Sequence, residues 1–413
     1  MLNFRYRIYP SKRQAALANN QMHLAKEIYN LFLDEARRRY AHTGESFSQY
    51  DMNNTLRELK TKRPEFAGIH SQVLQNISKR VSDAYKAFFQ RVREKNKGKK
   101  VKAGFPRMKK SVSSMTYPQT GFTFTNNHAL TLSGIGSIPI VLHRPLKGKV
   151  KTCTIKRSKS GKWHVNFSVE TPNRVFKSNE MPQVGVDLGL NRLVTLSNGE
   201  RIDSPRFLRK SEERIKRCQR RMSSKEKRSK NHQRARAALS RAYEMVGNQR
   251  SDFLHKLSRK IVSSYSLVGV EKLKIGNMMK NRCLAKSISD ASWDAFIQML
   301  CYKAGSAGCR VVNVAPEYTS QTCSNCGNAR YINLKERQYC CHNCGLSEDR
   351  DVNAAKNILA RATAGRAESH ACGETPTTLL EREAQGVSLK QELHGTSDSN
   401  HGNSSLVSGS PRP

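Results

Sequence analysis

The spacing of apolar positions changes several times along the chain. Residues 2–9, LNFRYRIY, carry an apolar side chain at every second position and stop at Pro10, which predicts a strand. From Lys12 the period lengthens. Leu17, Leu24, Ile28, Leu31 and Phe32 recur mostly at three- and four-residue steps, predicting a helix to about Tyr40. A second helical pattern covers residues 50–59 and a third covers 70–93. In the third, Val73, Leu74, Ile77, Val81, Tyr85 and Phe88 share one face. Short strand-like runs follow at 121–125, 129–132, 138–142, 151–157 and 163–170, the last two flanking a Ser-Lys-Ser-Gly-Lys hairpin signal. One strand parted from later strands by a helical block predicts a small β-barrel with a helical insertion. After Pro182, strands at 183–188, 192–196 and near 201–202 precede a helical stretch at 209–241 and a helix at 248–265. Strand 266–270, helix 292–303 and strand 310–314 come next, and this β–α alternation predicts an α/β domain. No period of 20–50 residues recurs, so no solenoid is expected.

Charge narrows the class of partner. The 413 residues hold 73 Lys and Arg against 33 Asp and Glu, a net +40. No small acidic metabolite calls for that much charge, but a nucleic acid does. The excess is uneven: residues 1–365 carry 69 basic and 27 acidic groups, net +42, whereas residues 366–413 carry 4 and 6. That last stretch, rich in Ser, Gly, Thr, Asn and His, reads as a disordered tail, with a short docked helix near Leu379–Glu383 as the alternative. Residues 91–110 hold ten basic groups and one acid, and 209–241 hold fourteen and three. The first reads as a flexible basic loop. The second reads as a surface that tracks a phosphate backbone, with an ordinary solvated helix as the alternative. On helix 70–93 the polar face presents Gln72, Gln75, Lys79, Arg80 and Lys86. Glutamine amides pair with adenine edges and cations with phosphates, so Gln72, Gln75 and Lys79 are candidate nucleic-acid contacts, against plain solvation. No run of about 18 apolar residues exists and the chain starts in charge, so a cytoplasmic protein with reduced cysteines is expected.

Two constellations carry chemistry. Cys323-Ser-Asn-Cys326-Gly and Cys341-His-Asn-Cys344-Gly are two CxxC pairs fourteen residues apart, the pattern of one structural four-thiolate Zn²⁺ site. Cys340 and His342 break the symmetry of the two knuckles and are not expected to be ligands. The second is a set of acids. Asp187 lies at the end of an apolar strand in Val184-Gly-Val-Asp-Leu-Gly-Leu, before a Gly turn, Glu271 ends the apolar strand Leu267–Val270, and Asp351 opens a helix in DRDVNAAKNI. Adjacent strands would point the first two from one sheet edge, and the helix could bring the third opposite. Such a cluster suits Mg²⁺, two ions about 3.5–4 Å apart, acting on a phosphodiester. Taken singly, Asp187 reads as a turn residue, Glu271 as a surface acid and Asp351 as a helix-start acid. Asp349 competes for the third role, and Asp203, Asp290 and Asp294 lie nearby.

GVDLGL (185–190), GVEKL (269–273), the run from Thr319 to Gly327 and DRDVNAAKNI (349–358) resemble the TnpB (OrfB-type) family of transposon-encoded proteins, relatives of compact type V CRISPR effectors. The YPSKRQ…IYN segment and Gly-Phe-Pro-Arg at 104–107 also fit. The resemblance spans residues 2–362 and implies a multidomain α+β protein. It implies a β-barrel wedge domain (1–10 and 111–180) with a helical recognition insertion (11–110). It further implies an RNase H-like RuvC nuclease domain (181–317 and 346–365) with an inserted zinc ribbon (318–345), ahead of the tail at 366–413. The implied activity is RNA-guided hydrolysis of target double-stranded DNA beside a short flanking motif, with a guide called omega RNA and a catalytic triad matched by Asp187, Glu271 and Asp351. The alternatives are an RNA-guided regulator with an idle nuclease site and a DNA transposase or its accessory protein. Tyrosine-type strand transfer is disfavoured, since no HxH-like motif neighbours a Tyr.

Overall fold

The structure, a computed structural model, describes residues 1–125, 128–171, 180–333 and 336–364. The expected tail at 366–413 lies outside them, as do Asn126 and Asn127. The described residues form two compact units, one of Met1–Arg174 with Leu208–Asn248, the other of Val175–Phe207 with the residues from Gln249 onward.

In the first unit, β1 (Leu2–Ile8) leads into α1 (Lys12–Thr43), α2 (Gln49–Lys62) and α3 (Ser71–Asn96). Ser11 and Ser48 open α1 and α2 with reciprocal capping boxes, and Gly44 closes α1 in the left-handed conformation. Then come β2 (Ser114–Pro118), β3 (Phe122–Thr125), β4 (Ala129–Leu132), β5 (Gly136–Val141), β6 (Lys149–Arg157) and β7 (Trp163–Glu170). They form one antiparallel sheet of order β2-β6-β7-β1-β5-β4-β3. The sheet curls: Phe124 on edge strand β3 meets Phe167 on β7, well separated from it in that order, at 5.0 Å between ring centroids. One core joins the three helices to the sheet, with Phe32, Leu33, Met52, Val81, Tyr117 and Phe167 buried together. The helical insertion therefore shares the sheet's hydrophobic core.

The second unit is built on β8 (Gln183–Asp187), β9 (Arg192–Leu196), β10 (Arg201–Asp203), β11 (Leu267–Glu271) and β12 (Arg310–Val314), in the order β10-β9-β8-β11-β12. β8, β9 and β10 pair antiparallel, and β11 lies parallel between β8 and β12. Between β10 and β11 in sequence run α4 (Phe207–Lys210), α5 (Glu212–Ser223) and α6 (Lys230–Ser264), of which Leu208–Asn248 belongs to the first unit. The expected continuous helix over 209–241 is broken at residues 224–229, a polar Ser/Lys/Glu/Arg run with no apolar side chain to bury. α6 restarts with the Ser229 hydroxyl accepting from His232 N–H at 3.1 Å and continues through the separate helix expected at 248–265. Between β11 and β12 run α7 (Ile275–Met278), α8 (Arg282–Ala291) and α9 (Trp293–Ala307). A short hairpin, β13 (Gln338–Cys340) and β14 (Ser347–Asp349), and α10 (Arg350–Thr363) complete the unit. No helix among the described residues is long and apolar enough to cross a membrane.

Candidate active site and metal centre

Register brings two of the acids together. β8 and β11 pair in parallel from Gln183↔Leu267 to Val186↔Val270, so the following residues, Asp187 and Glu271, end neighbouring strands at the same level. Two residues earlier on each strand stands a glycine, and Gly185 and Gly269 are register partners. Side chains two apart share a sheet face, so these glycines mark the face on which both acids lie. α10 occupies that face: a Cβ on Gly185 would lie 1.9 Å from the Ala355 carbonyl oxygen, and one on Gly269 would lie 2.9 Å from the Ala362 Cβ. Only bare glycines let the helix descend this far. Its first turn carries Asp351.

Electrostatics reflects this grouping. The Asp187 carboxyl is pushed up to about 8, first by burial, then by the Glu271 and Asp351 carboxylates, against Arg350 and the Leu188 N–H. Glu271 is also raised, first by burial and further by Glu317, while the Thr319 hydroxyl and Arg361 oppose. Proximity to other anions raises a carboxylate because ionising it adds like charge. Asp349 has a different job. Its Oδ1 caps α10, accepting from the N–H of Asp351 at 3.0 Å and of Val352 at 3.4 Å, and its Oδ2 pairs with Arg192 at 2.7 Å and Arg201 at 3.2 Å. The four acids thus divide: Asp349 fixes the helix start, and Asp351 is carried beside Asp187. Of the other nearby acids, Asp290 pairs with Arg250 at 2.7 Å.

The remaining face of α10 is polar. Asn353, Asn357 and Arg361, four residues apart, grip the segment that leaves β12. Arg361 Nη1 donates to the carbonyls of Ala315 (2.9 Å) and Glu317 (2.7 Å), Asn357 Nδ2 to those of Thr319 (2.9 Å) and Thr322 (2.6 Å), and Asn353 Nδ2 to that of Thr322 (2.8 Å). The periodicity of these three residues was readable in the sequence, but their partners were not.

That segment ends in the cysteines. Cys323, Cys326, Cys341 and Cys344 bring their four sulfurs within 4.8 Å of one another, the one ready-made metal-ligand cluster among the described residues. The Cys323–Cys344 and Cys326–Cys341 sulfurs are 3.6 Å apart, close to the edge of a tetrahedron with Zn–S bonds of about 2.3 Å. The two knuckles repeat one backbone. Cys323 N–H bonds Asn328 O and Cys341 N–H bonds Leu346 O, and Gly327 and Gly345 close each turn at φ 75° and 73°. The Cys326 thiol is drawn down to about 6 by the Asn328 N–H and the Asn343 amide, whereas burial pushes Cys323 up to about 11. Cys340 points elsewhere, its sulfur 3.5 Å from the Ser347 hydroxyl, and His342 faces Arg330. Among the described residues, Ile332 and Tyr339, with Leu346 at the margin, form an apolar core beneath the thiols.

The candidate nucleic-acid contacts are on α3. Gln75 is exposed, while Gln72 Oε1 accepts from Thr120 N–H at 3.0 Å and Lys79 pairs with Asp83 at 2.9 Å. Val73, Leu74, Ile77 and Val81 are buried on the opposite face.

Residues 164–282 match the OrfB family described as "Probable transposase", and residues 293–358 match "Cas12f1-like, TNB domain". The chain belongs to the OrfB (TnpB) family. Residues 1–45 match its "Helix-turn-helix domain", although here they form β1 and the single long helix α1. A Streptomyces pristinaespiralis protein called "Putative RNA-guided DNA endonuclease" is 34% identical over 94% of this chain and 95% of its own length. "Putative RNA-guided DNA endonuclease InsQ" of Escherichia coli K12 is 31% identical over 78% and 79%. Among solved structures, a Cas12f1-sgRNA-target DNA complex is similar with a TM-score of 0.51 and 15% identity, over 84% of this chain and 83% of the other, a likeness of fold.

Proposed function

We propose that this chain is an RNA-guided DNA endonuclease whose RuvC-type, RNase H-like site is formed by Asp187, Glu271 and Asp351. The observation that supports this reading is the level ending of β8 and β11 beneath α10, the helix whose first turn holds Asp351. Their all-oxygen donor set and the anionic field that lifts Asp187 fit hard divalent cations of the Mg²⁺ kind. When bound, a pair of such ions supplies an activated water and stabilises the leaving oxygen of the phosphodiester. Asp187 and Glu271 hold the site from the sheet and Asp351 holds it from the helix. Arg192 and Arg201 fix that helix start through Asp349. One structural Zn²⁺ on Cys323, Cys326, Cys341 and Cys344 would fix the chain end of the segment gripped by α10.

Guide pairing selects the target and the protein reads a short flanking motif. The names borne by the relatives and the net +42 over residues 1–365 support a guide RNA, transcribed as omega RNA from the transposon end, and double-stranded target DNA as partners. In this reading residues 1–10 and 111–180 form the wedge, 11–110 the recognition insertion, 181–317 and 346–365 the nuclease and 318–345 the ribbon. On α3, Gln75 is the first candidate to read the flank, followed by Gln72 and Lys79. The test is cleavage of a matched plasmid by guide-loaded protein. Asp187→Ala should lower the rate by about 1000-fold or more, as expected when about 4 kcal/mol of transition-state stabilisation is removed, with guided DNA binding retained. Persisting cleavage in that variant would refute the site.

A further inference from the structure

We infer that Thr319 is a positioning residue for Glu271, and that α10 sets the orientation of that carboxylate through Thr319 while carrying Asp351 itself. The inference rests on the reading of Glu271 as a site acid. The Thr319 side chain is 4% exposed, and its hydroxyl donates to Glu271 Oε1. Its other acceptor is the Pro316 carbonyl at 3.2 Å. A hydroxyl has one proton to give, so an ionised Glu271 takes it and one carboxylate oxygen is pinned to the segment after β12. The second oxygen is not bound by Thr319 and would be free to serve the cation.

The segment cannot drift, because α10 holds it on both sides of Thr319. Arg361 takes the carbonyls at 315 and 317, Asn357 takes those of Thr319 and Thr322, and Asn353 takes that of Thr322 while accepting from Ser324 N–H at 2.8 Å. Asn353 and Asn357 are themselves buried. An unpaired amide in such a place costs about 1–3 kcal/mol, so these hydrogen bonds are kept. The same helix is seated on Gly185 and Gly269. A single rigid element thus fixes Asp351 directly and Glu271 through two hydrogen-bonded steps. The cysteine knuckle begins four residues beyond Thr319, so the chain is anchored past the clamp as well.

The experiment uses guide-loaded full-length protein and four variants: Thr319→Val, Thr319→Ala, Thr319→Ser and Glu271→Gln. Three quantities are read: single-turnover cleavage across a Mg²⁺ series, Mn²⁺ affinity by electron paramagnetic resonance on an uncleaved, phosphorothioate-blocked target, and zinc content with melting temperature. Outer-shell partners of metal-ligating groups are worth about 10–100-fold. Thr319→Val and Thr319→Ala should weaken Mn²⁺ binding and shift half-maximal Mg²⁺ upward within that range, with guided DNA binding and zinc unchanged. Thr319→Ser, which keeps the hydroxyl, should stay within about threefold of the parent. Wild-type metal dependence in both Thr319→Val and Thr319→Ala overturns the inference. So does a serine variant as impaired as alanine, or an impairment explained by lost zinc or melting. Cleavage that survives Glu271→Gln instead overturns the role of Glu271 itself.

Discussion

At the scale of single residues, burial decides which charges the fold tolerates. His164 on β7 is held down to about 4, first by burial, then by Arg5, Arg7 and Lys162, with Glu244 opposing. Its ordinary value is near 6.5, so its folded-state value is depressed. Above pH 6.5 both states are neutral at this position. Between 6.5 and 4 the unfolded chain takes up the proton first, and stability is lost as pH falls through that window. The first unit should therefore lose denaturant resistance from pH 6.5 to 4, and His164→Gln should flatten that slope. An unchanged slope would show that other groups govern the acid limb. The same logic of few, committed polar groups explains what was legible. The places of Asp187, Glu271 and Asp351 at two strand ends and a helix start were readable because each borders a strongly apolar run or opens a helix. Thr319 was not, since a lone threonine before a cysteine motif carries no periodicity and its partner is 48 residues away.

At the scale of elements, α10 is the organising piece. Its apolar face, Ala355, Ile358 and Ala362, lies on the two strand glycines, and its polar face holds the segment leading to the cysteines. Gly185→Ala would place a Cβ against backbone rather than a yielding side chain. It should destabilise the second unit by about 3 kcal/mol or more, read from the denaturation midpoint, and reduce cleavage in step. A midpoint like the parent's would mean that the helix can lift off without penalty. The knuckles belong to this scale too. With two buried apolar side chains, Ile332 and Tyr339, beneath four thiols among the described residues, metal is expected to contribute the ribbon's folding energy. Cys326→Ser should release zinc and reduce cleavage by loosening the segment at Thr319, whereas Cys340→Ser should retain one zinc per chain. Metal analysis of the two variants checks both. Strand and helix periods disclosed β1, α1, α3, β8, β11 and β12 because each buries a face at a regular spacing. The hairpin β13–β14 has three residues per strand, too few for any period, and the break between α5 and α6 lies in a stretch where charge conceals the helix end.

At the scale of the molecule, charge and chemistry are divided. The three candidate acids and the four cysteines belong to the second unit, while both basic blocks, 91–110 and 209–241, belong to the first. α5 buries Ile215 alone and exposes Arg217, Arg220 and Arg221, so its cations serve no core. A surface of that kind binds a polyanion by releasing the counterions condensed on it, and each phosphate neutralised adds to the dependence of affinity on salt. With about six to ten phosphates neutralised, affinity for guide RNA should fall by about 10³–10⁵ between roughly 50 and 200 mM salt. Replacing Arg217, Arg220 and Arg221 with Gln should lower the slope of log affinity against log salt by about one for each phosphate left without its cation, whatever the guide's base sequence. Zinc content should not change, because no ribbon residue is altered. Filter binding over a salt series gives the slope. If the triple variant kept the parent's slope and affinity, the basic helix would be a solvated surface, and guide binding would have to be sought on the other block, residues 91–110.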